Sequence, residues 1–262
     1  PAEKAPPAAF PPAFEDPDDV PLPDPDLWHR IRVGFLLDPL DSPLVQEHER
    51  WYESRQDYIK RFVDRGSLYL HYIVEQVEKR NMPTEIALLP MVESAFNPTA
   101  YSRAHASGLW QFIPGTARRF DVQQNWWYDG RRDIVDSTNA ALDYLQYLYE
   151  MDGDWQLALA SYNWGENAVA RAIAKNRAAG KPTDYAHLSM PLETRHYLPK
   201  LQALKNIINN PEPLGISLEA IPNHPYFAAY DKVVDIDVSL AAKLAEMPVE
   251  QFMALNPGFS RP

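Results

Sequence analysis

The residues of this sequence best suited to chemistry are carboxylates, and Glu93 is the one in the most unusual setting. It ends the apolar run at residues 86–92, so we expect its carboxyl group to be partly buried. Burial disfavours the charged form and raises the pKa of a carboxyl toward neutrality, as a general acid requires. A glutamate at a helix end is usually a solvated or capping residue, so the position alone is a weak signal and the surrounding residues must decide.

The sequence argues against several other kinds of reaction centre. It contains no cysteine, which excludes disulfides, thiolate metal sites and a cysteine nucleophile. The seven histidines are scattered without a His-Glu-x-x-His pair, and neither a Gly-x-Ser-x-Gly turn nor a glycine-rich phosphate loop occurs. No metal and no cofactor are therefore predicted.

Composition sets the broad class of the protein. The 262 residues are 45% hydrophobic and 23% charged, which is typical of a globular protein of one or two domains. A net charge of −11 argues against nucleic acid as a partner. No run of 18 apolar residues and no basic segment followed by an apolar one are present, so neither a membrane span nor a signal peptide is predicted.

The elements that must position Glu93 are predicted to be helices. Apolar residues at helical spacing predict one helix over 42–66 and a second from 68 to about 80. A third, over 84–95, contains Pro90, which should kink it one turn before Glu93. Further helices are expected at 108–113, from 114, at about 134–149, at 155–164, at 166–179 and at 193–209. The fold class is all-α with long loops.

The two ends of the chain differ from this helical part. Residues 1–26 are rich in proline and acidic residues, which favours either an extended tether or a disordered leader. Residues 211–229 contain repeated prolines and are interpreted as a linker. A small α+β unit is expected at 230–262, with a strand at 230–236 and helices at 238–247 and 249–255.

Four short motifs follow one another along the chain, starting at Glu93. They are Glu93-Ser94-Ala95-Phe96-Asn97-Pro98, Gly108-Leu109-Trp110-Gln111, Pro114-Gly115-Thr116-Ala117 and Ser161-Tyr162-Asn163. Together they resemble the motif set of the lytic transglycosylases, the goose-type-lysozyme-like family that acts on peptidoglycan. The specific part covers about residues 85–200, and the N-terminal helices resemble those of a membrane-bound subgroup. The resemblance implies a lysozyme-like (SLT) catalytic domain over 27–210.

The resemblance also implies a reaction. Glu93 matches the family's acid/base, which protonates the β-1,4 bond between N-acetylmuramic acid and N-acetylglucosamine. The family has no second catalytic carboxylate, because the substrate's acetamido group assists. Glu93 then takes the proton of the 6-hydroxyl, which yields a 1,6-anhydromuramoyl end without water.

Other positions match family residues that contact the substrate. By resemblance, Ser102 bonds the acetamido group or the reacting sugar, Gly108 permits close backbone approach, and Gln111 bonds substrate. Tyr162, beside Asn163 in the same motif, is expected to bond Glu93 or the acetamido group. Glu193, which could equally be a first-turn helix acid, matches a glutamate in the sugar groove.

Tryptophans near these motifs could stack on sugar rings. Trp110 stands where the family motif has methionine, and it is expected either to stack on a sugar or to fill the core. Trp126, Trp127 and Trp164 would also suit the apolar faces of sugars.

The end of the chain resembles a peptidoglycan-binding LysM repeat, degenerate or truncated, and we expect it to pack on the catalytic domain. The resemblance implies a periplasmic monomer tethered to the outer membrane by a lipid anchor upstream of residue 1, with peptidoglycan strands as its partner.

Two alternatives remain open. One is a hydrolytic muramidase in which Asp121, Asp129 or Asp133 supplies a second carboxylate beside Glu93. The other is a scaffold that binds peptidoglycan without cleaving it.

Overall fold

The structure, a computed structural model, describes residues 25–230 and 236–259, and within them the fold is helical. Beyond single-residue β-bridges, no strand forms in these residues. The helices are α1 (Leu27–Val33), α2 (Pro43–Glu53), α3 (Gln56–Gly66), α4 (Leu70–Lys79), α5 (Leu89–Ser94), α6 (Pro114–Arg119), α7 (Ile134–Asp152), α8 (Trp155–Trp164), α9 (Glu166–Ala178), α10 (Leu192–Asn209), α11 (Val238–Leu244) and α12 (Val249–Leu255).

One continuous hydrophobic core holds the helices together. Helix α10 packs against α2, α5 and α8, and α7 packs against α8. The long helix α7 starts at an N-cap, where the Asp133 side chain accepts the backbone N–H groups of Val135 and Asp136. Within the described residues, no helix combines the length and apolar composition needed to cross a membrane.

The predicted helix over 42–66 is in fact two helices. The chain leaves helical geometry at Ser54 and Arg55, where the Ser54 hydroxyl donates to the carbonyl oxygen of Trp51 at 2.9 Å. Such a local side-chain bond competes with the helical ladder. The apolar spacing in the sequence continues across the break, and Trp51 and Tyr58 on its two sides pack edge to face. Periodicity alone therefore missed the interruption.

The expected kink at Pro90 takes the form of a change in helix type. Residues Thr84–Leu88 form a 3₁₀ helix, and Pro90 then stands in the first turn of α5, where a missing N–H costs nothing. The 3₁₀ helix is anchored by the fully buried carboxylate of Glu85. That group pairs with Lys205 at 2.7 Å and accepts the backbone N–H groups of Leu36 and Leu37.

The prediction of a short helix at 108–113 was wrong. Residues 108–111 form a tight turn instead, closed by reciprocal backbone hydrogen bonds between Ser107 and Phe112. Gly108 and Gln111 both have positive φ values, 86° and 51°, which no α-helix allows.

Two features around the N-terminal helix differ from the predictions. Helix α1 was not predicted, although Asp26 caps it by accepting the N–H of Trp28. The segment 211–229, interpreted as a linker, lies against α1: Leu27 donates to the carbonyl of Ile221 at 2.8 Å, and the Trp28 indole donates to that of Glu219 at 2.9 Å. The predicted tether lies outside the described residues, apart from its last two.

Helices α11 and α12 match the two predicted at the end of the chain, while most of the expected strand, residues 231–235, lies outside the described residues. The tail packs on the helical part of the chain that precedes it. The Tyr69 hydroxyl donates to the carbonyl of Ala254 at 2.9 Å, the Asp129 N–H donates to that of Gly258 at 2.8 Å, and a β-bridge joins Tyr128 to Phe259.

Candidate active site

Glu93 lies in the last turn of α5, where the backbone reverses sharply. Ala95 and Phe96, the two residues after the helix ends at Ser94, both adopt left-handed φ values of 50° and 54°. Non-glycine residues reach this region only when their surroundings hold them there. The buried ring of Phe96 packs on Gly66, where an added Cβ would lie only 3.0 Å from it. The reversal keeps the Glu93 carboxyl at the end of the helix.

The carboxyl group of Glu93 is shaped by three residues of α10. The Tyr197 hydroxyl donates to its Oε1 atom at 2.5 Å. Burial raises the pKa of Glu93 to about 7; the bond from Tyr197 opposes this, the charge of Glu193 adds to it, and the charge of Lys200 opposes it. A carboxyl with this pKa is present in both protonation states near neutral pH, so it can give up a proton and take one back.

Tyr162 does not bond Glu93 in this structure, as its motif had suggested it could. Its hydroxyl donates to the backbone carbonyl of Trp110 at 2.8 Å. It nevertheless lies close enough to interact with Glu93: burial, and then the Glu93 charge, raise the pKa of Tyr162 well above its usual value. Tyr162 thus joins α8 to the turn at 108–111, and Tyr197 takes the place beside Glu93.

Asn163, the next residue on α8, ties this helix to α10. Its Oδ1 atom accepts the hydroxyl of Thr194 at 2.8 Å. Thr194 is buried in the first turn of α10, next to the exposed Glu193. Asn163 therefore fixes the end of the helix that carries Tyr197.

The turn at 108–111 depends on a glycine. A Cβ atom on Gly108 would lie 1.8 Å from the carbonyl oxygen of Arg131, so no other residue fits. The Gln111 Nε2 atom donates to the carbonyls of Gly108 at 2.9 Å and Ala100 at 3.3 Å. The Ser94 hydroxyl lies 3.0 Å from the carbonyl oxygen of Leu109, which joins the turn to the residue after Glu93.

Arg131 holds the loop around this turn. Its buried guanidinium pairs with both carboxylate oxygens of Asp129 and donates to the carbonyls of His105 at 2.7 Å and Phe112 at 3.3 Å. Five donors in a rigid fork suit this bridging role.

Ser102 is also used within the loop. Its hydroxyl oxygen accepts the backbone N–H of Ala106 at 3.0 Å, and its own N–H donates to the Ala106 carbonyl. Among the described residues, its hydroxyl hydrogen has no recorded acceptor. Ser102 could therefore still donate to a ligand.

The tryptophans divide into two groups. Trp110 is completely buried, and its indole N–H donates to the Thr138 hydroxyl at 3.0 Å, so the stacking interpretation of Trp110 was wrong and the core interpretation was right. Trp164 is partly buried against the core. Trp126 and Trp127 are 68% and 60% exposed, so their faces are accessible.

The three aspartates considered as a second carboxylate have other surroundings. Asp129 is paired with Arg131, Asp133 caps α7, and Asp121 is exposed at a left-handed position. None of them is among the charges that perturb Glu93, which are Glu193 and Lys200. The arrangement therefore favours a single acid/base carboxyl over a pair that includes one of these aspartates.

Sequence reasoning missed Tyr197 as a site residue and predicted only that it lies in the helix at 193–209. A signal was available, since Glu193 and Tyr197 are four residues apart and must share one face of a helix. Lys200, one turn further, was missed for the same reason. In the described part of the chain, no three His, Asp or Glu side chains gather as they would around a metal ion.

Comparison with known proteins places these features in context. Residues 71–184 match the family model described as transglycosylase SLT domain. The chain is 39% identical over 237 residues to membrane-bound lytic murein transglycosylase D of Escherichia coli strain K12, covering 90% of this chain and 52% of the relative. It is 34% identical over 121 residues to soluble lytic murein transglycosylase of Salmonella typhimurium strain LT2, covering 42% of this chain and 18% of the relative.

A further match is a protein named for tributyltin chloride resistance from Alteromonas sp. strain M-1, 56% identical over 117 residues, with 44% of this chain and 56% of the relative covered. The chain spans about half the length of the first relatives it matches.

Proposed function

Because residues 71–184 match the transglycosylase SLT domain and 90% of the chain aligns at 39% identity with a membrane-bound lytic murein transglycosylase, we propose that it is a lytic transglycosylase that cleaves peptidoglycan strands without consuming water. The bond broken is the β-1,4 bond between N-acetylmuramic acid and N-acetylglucosamine. The observation that supports this most strongly is the single carboxyl of Glu93, whose pKa of about 7 is set by burial and by Tyr197.

The first step of the proposed reaction uses Glu93 as an acid. Its proton goes to the glycosidic oxygen as the bond to the anomeric carbon breaks. The acetamido carbonyl oxygen of the same sugar attacks that carbon, which takes the place of a second carboxylate as in substrate-assisted glycosidases. The Tyr197 hydroxyl then stabilises the newly charged Glu93 carboxylate, because a hydrogen bond to the charged form favours it.

The second step uses Glu93 as a base. The carboxylate takes the proton of the sugar's 6-hydroxyl, and the freed oxygen attacks the anomeric carbon. The bond to the acetamido oxygen breaks, and a 1,6-anhydro ring closes. Glu93 ends protonated, so the cycle is complete without water.

Several polar groups are proposed to hold the sugar during these steps. They are the hydroxyl of Ser102, the carbonyl end of Gln111, and the side chains of Asn163 and Glu193. Tyr162 acts through the backbone carbonyl of Trp110 and is assigned to positioning. Trp126, Trp127 and Trp164 are proposed as contacts for sugar faces.

A hydrolytic muramidase and a noncatalytic scaffold predict different products, so one digestion separates the three functions. Purified sacculi are treated with the protein and with Glu93→Gln, and the released muropeptides are weighed by mass spectrometry. Products lighter by one water than the hydrolytic products, absent with the variant, support the proposal. Ordinary reducing ends would establish a hydrolase, and no products at all would favour the scaffold.

We also propose that the protein works as a monomer in the periplasm, tethered to the outer membrane through the proline-rich segment 1–26 by a lipid anchor. Support comes from the composition of that segment and from the relative named as membrane-bound. The tail from residue 230 is proposed as a degenerate LysM unit. Fractionation of cells and sedimentation of the purified protein test the location and the oligomeric state.

A further inference from the structure

A cavity lies between the turn that follows Glu93 and the tail of the chain. Its volume is about 480 Å³, within the range of small-molecule sites. One wall is formed by Phe96 and Pro98 of the turn, and the other by Met253 and Phe259 of the tail. The cavity therefore exists only because the tail packs on the catalytic domain.

Two arginines give this cavity a positive character. Arg65 and Arg132 both line it, and among the described residues neither has a carboxylate within ion-pair distance. Arg65 makes only a long hydrogen bond of 3.4 Å to the carbonyl of Ala95, and Arg132 uses its Nε atom on the Ser107 hydroxyl at 3.2 Å. The one acidic lining residue, Glu250, pairs with neither. Unpaired guanidinium groups are notable in a chain of net charge −11.

We propose that this cavity binds a short peptide bearing a free carboxylate, namely the stem peptide of peptidoglycan. The inference rests on the proposed function, since a glycan strand at Glu93 brings its stem peptides to this part of the surface. Guanidinium groups match carboxylates in shape and charge. The apolar walls, to which Leu68 also contributes, suit aliphatic peptide groups. Sugar hydroxyls are uncharged and would not form ion pairs with the two arginines.

The site also contacts the backbone that positions the acid/base. Arg65 donates to Ala95, and Phe96 belongs both to the cavity wall and to the left-handed pair that ends α5. A peptide carboxylate on Arg65 would thus bind a side chain that is hydrogen-bonded to Ala95, two residues after Glu93. We expect occupancy to favour cleavage next to muramic acid residues that carry a peptide.

The binding experiment uses a soluble stem tetrapeptide with free carboxylates, its fully amidated form and inorganic phosphate, each titrated by NMR against the full chain. We expect the tetrapeptide to shift resonances of residues around Arg65, and the amidated form to bind at least about tenfold more weakly. Arg65→Gln should weaken tetrapeptide binding by a similar factor. Arg61→Gln, an exposed arginine one turn earlier on the same helix and outside the cavity, is the matched control and should bind normally.

Met253→Glu provides a second variant, because it places a negative charge in the cavity without removing an arginine, and it should also weaken binding. Equal binding of tetrapeptide and amidated peptide, or Arg65→Gln binding as tightly as the wild type, would overturn the proposal. Phosphate that displaces the tetrapeptide at equal concentration would show a general anion site and would also overturn it.

A cleavage experiment separates this proposal from the proposed function. Intact sacculi and sacculi stripped of peptides by an amidase are digested in parallel. We expect the wild type to prefer the peptide-bearing strands and Arg65→Gln to lose that preference. Peptide binding without cleavage of either substrate would contradict the proposed function alone. Cleavage of both substrates without peptide binding would contradict the cavity proposal alone.

Discussion

Glu193 and Tyr197 lie one turn apart on α10 and act in opposite directions on the pKa of Glu93. The Glu193 charge disfavours a second negative charge nearby and so raises the pKa of Glu93. The Tyr197 hydroxyl stabilises the Glu93 carboxylate and so lowers that pKa. Burial is the main cause of the raised pKa of Glu93, and these two residues on one face of α10 adjust it in opposite directions. This relationship allows two substitutions to be tested against each other.

The first substitution is Tyr197→Phe, which removes only the hydroxyl group. The bond lost had favoured the charged carboxylate, so the pKa of Glu93 should rise further above 7, on the order of one unit. Since the first step needs protonated Glu93, kcat/KM of the wild type should fall as pH increases through about 7, and this fall should move to higher pH in the variant. A carbon-13 NMR titration of the Glu93 carboxyl measures the same shift without relying on activity.

The second substitution is Glu193→Gln, which removes a nearby negative charge. The pKa of Glu93 should decrease, and the fall in kcat/KM should move to lower pH. Because Glu193 is exposed, we expect a shift of only a few tenths of a unit that shrinks as salt is added. A shift to higher pH, or one insensitive to salt, would mean that Glu193 does not act through its charge.

Stability should also depend on the protonation of Glu93. The folded pKa of about 7 lies above the unfolded value near 4.3, so the folded state binds the proton more tightly. By linkage, this contribution to stability is present at low pH and is lost as pH rises through about 7. Glu93→Gln cannot ionise, so its stability should not change with this proton. In urea unfolding, the free energy of unfolding of the variant relative to the wild type should therefore increase by about 1–3 kcal/mol between pH 5 and pH 8.

The control for that measurement is Glu53→Gln, an exposed glutamate on α2. It should track the wild type at both pH values. If Glu93→Gln did the same, the carboxyl would not be destabilised by burial, and the physical basis for its acid/base role would be lost.

How far the sequence predicted the site depends on whether a residue's role is local. Glu93 could be found because its apolar run lies next to it, and the glycine requirement at Gly108 because its motif is contiguous. The hydrogen bond from Tyr197 depends on α10 meeting α5 across the core, which no local pattern encodes. A tyrosine on an apolar helix face is typical of core packing, and its spacing of four residues from Glu193 was the one local signal of another role, which was not used.

The fold was predictable to a similar extent. Long periodic helices such as α7 and α10 were found, because their apolar faces repeat over several turns. Helix α1 was missed because it is short and follows a proline-rich stretch, and the break before α3 because apolar spacing continues through it. The role of Trp110 was left open between groove and core, since its partner Thr138 lies 28 residues further along the chain.

The turn that carries Gln111 should fail if Gly108 gains a side chain. In Gly108→Ala, the new methyl group would meet the Arg131 carbonyl oxygen, and the φ value of 86° is itself unfavourable for alanine. Gly153→Ala separates these two effects, because Gly153 also has a positive φ but open space around it. We expect about 1–2 kcal/mol of destabilisation for Gly153→Ala and clearly more for Gly108→Ala in denaturant unfolding. Equal losses would mean that the close approach to Arg131 is unimportant.

The last prediction concerns the contact between the tail and the catalytic domain. A Cβ atom on Gly258 would lie 2.6 Å from the ring of Tyr128, and the carbonyl of Gly258 accepts the N–H of Asp129, the partner of Arg131. Gly258→Ala must therefore move Tyr128 or the tail, at a cost of about 1–3 kcal/mol.

The contacts also connect Gly258 to the site, because Arg131 in turn holds the loop that contains Gln111. We expect Gly258→Ala to lower both the unfolding free energy and kcat/KM on peptidoglycan, although it lies outside the matched SLT domain. Gly115→Ala, which has no neighbour within 4 Å, is the control and should be neutral or slightly stabilising in its helix. If Gly258→Ala kept full stability and activity, the contact of the tail with the SLT domain would contribute to neither.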